Sequence, residues 1–238
     1  DRLAPLRSKI LSPSHQIEAW LKANHGFAWK NRISKGAFKS VDSLYIPSLT
    51  PEDMEDGYLG AILFYGFGGK GNISDMVLSA KVPWEYIASV RKTTWKWDDV
   101  DFDKPKRLRP FSGRHSDRPV GFYWKLICLG HAHQGKPVAA ARQHIEPSDW
   151  GMGPEGIQFF LTHPHCFGMM DGVDFPGTNL PDFEVYSGID GMFSFAPHLS
   201  FRASGFRGAC GARGAYRLGL SVVHVSDLHP HSGSGSLR

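Results

Sequence analysis

The chain has 238 residues, of which 41% are hydrophobic and 21% charged, and this ordinary globular balance excludes a wholly disordered protein. Its formal net charge of +4 is too small to indicate a nucleic-acid partner. Because no apolar run approaches the roughly 20 residues that a membrane helix needs, we expect a soluble protein with no membrane partner.

The three cysteines, Cys128, Cys166 and Cys210, are widely spaced and form no C-x-x-C pair. Neither a disulfide framework nor a thiolate zinc site is therefore expected. A reducing compartment is the simpler interpretation, and we favour the cytoplasm. The N-terminus carries no signal-like segment, although a leader removed before Asp1 would leave secretion open.

A short amphipathic helix is the first predicted element. Ser12–Pro13 is a typical start signal, because serine caps a helix and proline is favoured at its first position. Ile17, Trp20 and Leu21 then follow at helical spacing, and Gly26 is a typical stop. Lysine and arginine are frequent from residue 2 to residue 39, which we interpret as a solvated basic face rather than a phosphate site.

The stretch Tyr58–Tyr65 predicts a buried strand, and the residues after it, Gly66–Gly71, match the dinucleotide-binding pattern G-x-G-x-x-G letter for letter. That fold needs a helix long enough to cross back to a parallel strand. Only Ser74–Ala80 separates the glycines from Val82–Pro83, which is too short for such a crossover. The sequence therefore favours a glycine-rich turn over a nucleotide site.

Carboxylates alternate with aromatic residues over Thr93–Asp103, and a basic, turn-rich stretch follows as far as Pro119. This pattern predicts an acidic strand edge followed by an exposed loop. The acidic stretch lacks the central glycine and the terminal glutamate of a calcium hand. If the chain has a soft boundary, we place it between Lys104 and Arg118.

Two strands, Phe122–Leu129 and Val138–Ile145, are predicted to pair as an antiparallel hairpin around the loop HAHQGK. Histidines concentrate in this region. Two or three imidazoles and a carboxylate are the ligand set of catalytic zinc or non-haem iron. The candidate metal ligands are His131, His133, His144 and Glu146.

Turns are predicted at Ser148–Gly151 and Pro154–Gly156, and a short buried segment at Ile157–Leu161. Beyond them, glycines recur every few residues over His163–Val225, so we expect loops and short strands rather than helices of ordinary length. The chain contains no G-x-S-x-G element, which a serine hydrolase would typically use. The last residues, SGSGSLR, are typical of a flexible tail.

Three short blocks resemble the formylglycine-generating-enzyme (sulfatase-modifying factor) domain. Pro164–Asp171 is similar to that family's P-N-x-F-G-L-x-D-M block, and Trp84–Ala88 to its W-E-Y-A-A. Phe201–Ser204 and Gly219–Val223 resemble its terminal R-x-A-x-R and G-F-R-V-V, and the blocks occur in the family's order. The resemblance implies a C-type-lectin-like fold, which is loop-rich and mixed, with its first and last strands paired.

The chain also departs from that family. The residues after Asp171 do not continue as G-N-V-W-E-W, and only Cys210 lies where the oxidase members use two cysteines to hold copper. The chain also lacks the H-x-x-x-H-x-E helix with which the sulfoxide-synthase relatives take iron. The resemblance therefore implies the fold without the formylglycine chemistry.

The predicted fold class is α+β: a loop-rich, C-type-lectin-like domain with short antiparallel strands and a small helical element at its N-terminus. We expect a helical, basic segment over residues 1–56, the main domain over 57–226 and a flexible tail over 227–238. If the resemblance holds, Leu218–Val225 is a central or near-central strand with buried apolar residues.

Two functions remain open. The first is a module that binds a protein or glycan ligand through its late loops, since aromatic residues and arginine are typical of binding hot spots. The residues predicted to do so are Phe193, Phe195, Arg202, Phe206, Arg207 and Tyr216. The second is a metal-dependent enzyme that holds iron or zinc on the histidine cluster.

Overall fold

The structure is a computed structural model, and it describes part of the chain. The described residues are 3–26, 32–67, 73–91, 109–110, 119–128, 149–169, 172–174, 178–179, 186–187, 191–192, 195–200, 205–210, 220–222 and 224–226. These residues include both helices and strands, so the mixed α and β composition predicted from the sequence is confirmed. None of the described helices has the length and apolar character required to cross a bilayer.

Helices predominate before residue 92 and short strands after residue 170. The described helices are α1 (Ala4–Arg7), α2 (Pro13–His25), α3 (Lys35–Ser40), α4 (Pro51–Glu55), α5 (Ile73–Arg91) and α6 (Gln158–Thr162), with short 3-10 helices at Val41–Ser43, Pro154–Ile157 and Pro164–Met169. The described strands are β1 (Tyr58–Gly66), β2 (Arg109–Pro110), β3 (Gly121–Cys128), β4 (Asp149–Gly151), β5 (Gly172–Asp174), β6 (Thr178–Asn179), β7 (Tyr186–Ser187), β8 (Gly191–Met192), β9 (Phe195–Ser200), β10 (Gly205–Cys210), β11 (Leu220–Val222) and β12 (His224–Ser226).

The main sheet has the strand order β1-β3-β12-β4, and its described pairs are all antiparallel. A second four-stranded sheet has the order β10-β9-β5-β11, in which β11 runs parallel to β5. Strands β2 and β6 form a two-stranded pair, as do β7 and β8.

The predicted C-terminal strand is present as two strands that lie in different sheets, β11 and β12. Because β12 pairs with β3 on one side and β4 on the other, the part of the predicted strand at His224–Val225 is interior, as expected. The expected burial of its apolar residues stays a prediction. Strand β11 instead lies at the edge of the second sheet. The resemblance implied that the first and last strands pair with each other, whereas here β3 lies between β1 and β12.

The strand predicted at Phe122–Leu129 is confirmed as β3, but its predicted hairpin partner is wrong over Leu126–Cys128. One edge of β3 pairs with β1 along its whole length, and β12 occupies the other edge at those three residues. A strand has only two edges, so no third strand can pair there. The expected partner, Val138–Ile145, lies outside the described residues. Asp149–Gly151, predicted as a turn, is strand β4.

The helix after the glycine-rich stretch is longer than predicted. It runs for 19 residues and continues through Pro83, so the inference that it is too short for a crossover was wrong. The nucleotide interpretation fails for a different reason, because the strand beside β1 is the antiparallel β3. Gly66 has a structural role at this point: a Cβ atom there would lie 1.9 Å from the carbonyl oxygen of Pro119.

One apolar cluster joins the N-terminal helices to the main sheet. Its largest fully buried side chains include Trp20 of α2, Phe64 of β1, and Phe159 and Phe160 of α6. The Trp20 ring packs edge-on against Phe122 with 5.6 Å between the ring centroids. The predicted helix at α2 and the predicted buried segment at Ile157–Leu161 are therefore confirmed, and residues on both sides of the expected boundary at 56 contribute to this cluster.

Candidate functional site

Among the described residues, the outer edge of β1 is closed by side chains from α2 and not by another strand. The Gln16 amide donates to the carbonyl of Ala61 at 3.0 Å and accepts from the N–H of Leu63 at 2.9 Å. Trp20 donates its indole N–H to the carbonyl of Leu63 at 2.9 Å. Since unpaired buried backbone groups are costly, these bonds fix where α2 lies on the sheet.

Gln158 continues this edge from α6 and also reaches α5. Its Oε1 accepts from the N–H of Tyr65 at 2.8 Å, and its Nε2 donates to the carbonyls of Tyr65 at 2.9 Å and Ser79 at 2.8 Å. This donor stands in for the helical partner of the Ser79 carbonyl, because the residue four positions later is Pro83, which has no N–H. Gln158 thereby allows α5 to pass through a proline and holds α5, α6 and β1 together.

His163 ends α6 and is fully buried. Its Nε2 accepts from the N–H of Leu11 at 3.0 Å, so the proton of the neutral ring is on Nδ1. Nδ1 lies 2.7 Å from the Thr162 hydroxyl and 3.3 Å from the carbonyl of Phe159. Burial, followed by the nearby His165, lowers the pKa of His163 to about 4, and the bond to the Phe159 carbonyl opposes this.

His165 makes the second bond between this turn and the N-terminal segment. Its Nε2–H donates to the carbonyl of Lys9 at 2.9 Å, and its ring centroid lies 5.8 Å from that of His163. Beside them, Cys166 is buried, and burial raises the pKa of its thiol to about 11 although the charge of Lys9 opposes this. Both histidines therefore hold residues 9–11 in place, and the thiol stays protonated at neutral pH.

The helices fixed in this way enclose a pocket of about 270 Å³. One wall comes from α2 and the segment before it, the second from α5, and the third from α6 and the turn that follows. The lining residues are Leu11, Ala19, Lys22, Tyr86, Ile87, Val90, Phe160, Leu161, Thr162, Pro164 and His165.

Tyr86 belongs to the wall that α5 contributes, and its ring packs closely over the end of α2. A Cβ atom on Gly26 would lie 3.2 Å from Cε2 of Tyr86, so a glycine at this position allows the two helices to approach. Burial raises the pKa of Tyr86, which keeps the phenol neutral at physiological pH. The lining of the pocket is thus mainly apolar, with a few polar groups.

The binding residues predicted from the sequence lie elsewhere in the chain. Phe195 is in β9, paired with Cys210 at the end of β10, whereas Phe206 and Arg207 are consecutive in β10 and pair with Leu199 and His198. Phe206 and Arg207 are therefore neighbours in one strand, where consecutive positions alternate between the two faces, and Phe195 lies at the other end of the same strand pair. Phe193, Arg202 and Tyr216 lie outside the described residues.

The predicted metal ligands, His131, His133, His144 and Glu146, also lie outside the described residues. Within the part of the chain that is described, no group of three histidine, cysteine or acidic side chains is placed to hold a metal ion. The metal hypothesis therefore stays a prediction.

The residues that organise the pocket were missed at the level of sequence. Gln16 is four residues before Trp20, so both lie on the buried face of α2, and a glutamine in an apolar stripe is a signal that its amide has buried partners. For Gln158 the signal was weaker, because nothing nearby in the sequence indicates contact with β1.

Comparison of the chain with protein-family models, curated proteins and solved structures returned no match. The resemblance to the formylglycine-generating-enzyme domain therefore stays a prediction.

Proposed function

We propose that this protein binds a small, largely apolar molecule in the pocket between α2, α5 and α6. The observation that carries the proposal is the pocket itself: about 270 Å³ lined mainly by aliphatic and aromatic side chains, with a few polar groups among them. Ligand sites are typically concave, mostly apolar and furnished with a small number of polar groups that orient the ligand. The hydrogen bonds of Gln16 and Gln158 support the proposal, since they hold the walls in place before any ligand arrives.

Binding rather than catalysis fits the titratable groups beside the pocket. A general base needs a ring nitrogen that is free to accept a proton, and a nucleophilic cysteine needs a thiolate. His163 uses both ring nitrogens in internal contacts, and the raised pKa of Cys166 keeps its thiol protonated. The role of these side chains is to fix the pocket wall.

The C-type-lectin-like scaffold is retained as part of the proposal. It is supported by the three sequence blocks and by the mixed α and β composition. On that scaffold, the segment that contains Phe206 and Arg207 is a second surface, suited to a protein or glycan ligand. A glycan or protein array with the Arg207→Ala variant tests it: loss of capture at unchanged thermal stability supports this surface.

We expect Val90→Asp to weaken the binding of an apolar probe such as 1-octanol by about tenfold, equivalent to ~1.4 kcal/mol. Val90 lines the pocket and is 60% exposed, so a carboxylate there stays hydrated and opposes burial of the probe without disturbing the core. Val120→Asp is the matched control, because Val120 is 57% exposed and does not line the pocket. Titration calorimetry on both variants measures the effect.

Two outcomes would contradict the proposal: no binding of any apolar probe, or equal loss of affinity in the two aspartate variants.

Metal analysis of the same purified protein tests the alternative function. Stoichiometric zinc or iron that is lost in a His131→Ala variant would favour the metal-dependent enzyme.

A further inference from the structure

We infer that the ligand of this pocket is a small amphiphilic anion, whose apolar part fills the pocket while its carboxylate lies at Lys22. This inference rests on the proposed function and adds the charge and the size of the ligand.

The charge follows from the side chains around the pocket. Among its described lining residues, Lys22 is the one lysine or arginine, and none is an aspartate or a glutamate. Lys22 follows Ala19 by three residues, so the two lie on the same face of α2 and both line the pocket. A cation beside an apolar cavity with no lining carboxylate favours a ligand that is negative at one end.

The other polar groups of the lining are already engaged or neutral. The Thr162 hydroxyl donates to the carbonyl of Phe159 at 3.1 Å and lies 2.7 Å from Nδ1 of His163. His165 donates its Nε2–H to Lys9, and the raised pKa of Tyr86 keeps its phenol uncharged. These groups leave Lys22 as the one ammonium donor in the described lining, which fits a monoanion rather than a dianion.

The volume sets the size of the apolar part. A pocket of about 270 Å³ is at the small end for ligand sites, so it suits a small molecule. An unbranched chain of about eight carbons fits this volume and leaves the carboxylate at the margin. Octanoate is therefore the probe, with 1-octanol and octylamine as neutral and cationic analogues of the same length.

Glu18 lies one helical turn before Lys22 on α2 and does not line the pocket. Exposed pairs at this spacing are worth only about 0.3–0.5 kcal/mol. At this spacing Glu18 therefore competes only weakly with a bound carboxylate for Lys22. For this reason Glu18→Gln serves as the matched variant, which removes a charge from the same helix face without removing the cation.

The test is titration calorimetry of the whole chain with the three probes at pH 7.5 and low salt. We expect octanoate to bind most tightly, 1-octanol next and octylamine most weakly. Lys22→Met should weaken octanoate by about fivefold and leave 1-octanol unchanged, because the methionine keeps the apolar stem and removes the charge. Lys22→Arg and Glu18→Gln should bind octanoate at least as well as the unchanged protein.

The outcomes separate this inference from the proposed function. Equal affinity for octanoate and 1-octanol, with no effect of Lys22→Met, would overturn the anionic ligand while leaving an apolar pocket. A loss of octanoate binding in Glu18→Gln as large as that in Lys22→Met would also overturn it. If none of the three probes binds, the proposed function itself fails. High salt should reduce octanoate binding alone.

Discussion

Replacing Gln158 with leucine should lower the free energy of unfolding by about 4 kcal/mol. Leucine fills a similar volume but forms none of the three bonds to Tyr65 and Ser79. Each buried donor or acceptor left without a partner costs about 1–3 kcal/mol. Denaturation in urea, followed by circular dichroism, measures the loss.

Pro83 provides an internal control for this prediction. Pro83→Ala restores an N–H that can donate to the Ser79 carbonyl within α5. In the Gln158→Leu background this change should therefore recover about 1–2 kcal/mol more stability than it does in the unchanged protein. Additive effects of the two substitutions would show that Gln158 does not satisfy the carbonyl opposite the proline.

Elements with local signals could be predicted from the sequence. Strand β1 and helix α2 were predicted because their signals are local: a run of apolar residues in one case, and a serine-proline start with helical spacing in the other. Helix α5 was predicted to be too short, since proline normally interrupts a helix. The group that compensates for Pro83 is 79 residues from Ser79 along the chain, and no local pattern reports such a contact.

Strand partners were similarly hard to predict. The sequence placed β3 correctly but paired it with the next apolar run, because neighbouring strands most often form hairpins. Its described partners, β1 and β12, lie on either side of it in the sequence, β12 near the C-terminus. Pairing across such distances depends on which edges are already closed, and on β1 that closure is made by two glutamines and a tryptophan.

The pocket is likewise non-local. Its walls come from α2, α5 and α6, and the hydrogen bond that joins His163 to Leu11 spans 152 residues. His163 and His165 are near neighbours in the sequence, yet the partners of their rings include Leu11 and Lys9 on the N-terminal segment. The charge, the apolar lining and the buried histidine therefore become a site only after the chain has folded.

Acidification should destabilise the protein through His163, and a variant without this histidine should lose that component. The pKa of His163 falls from 6.5 to about 4 on folding, so between these pH values the unfolded chain binds more protons than the folded one. The contribution of His163 to stability is complete above pH 6.5 and is lost as the pH falls towards 4. Its total size is about 3 kcal/mol.

His163→Gln removes the titrating group and is the variant that measures this contribution. Urea denaturation at successive pH values should show that the unchanged protein loses about 3 kcal/mol more than the variant between pH 6.5 and 4. Thr162→Val is the matched control: it removes the hydroxyl 2.7 Å from Nδ1, so it should lower stability at every pH while keeping the same pH window. If the unchanged protein and His163→Gln lose equal stability over that range, His163 has the same pKa in the folded and the unfolded chain. That outcome would contradict a buried, neutral His163 that accepts from the N–H of Leu11.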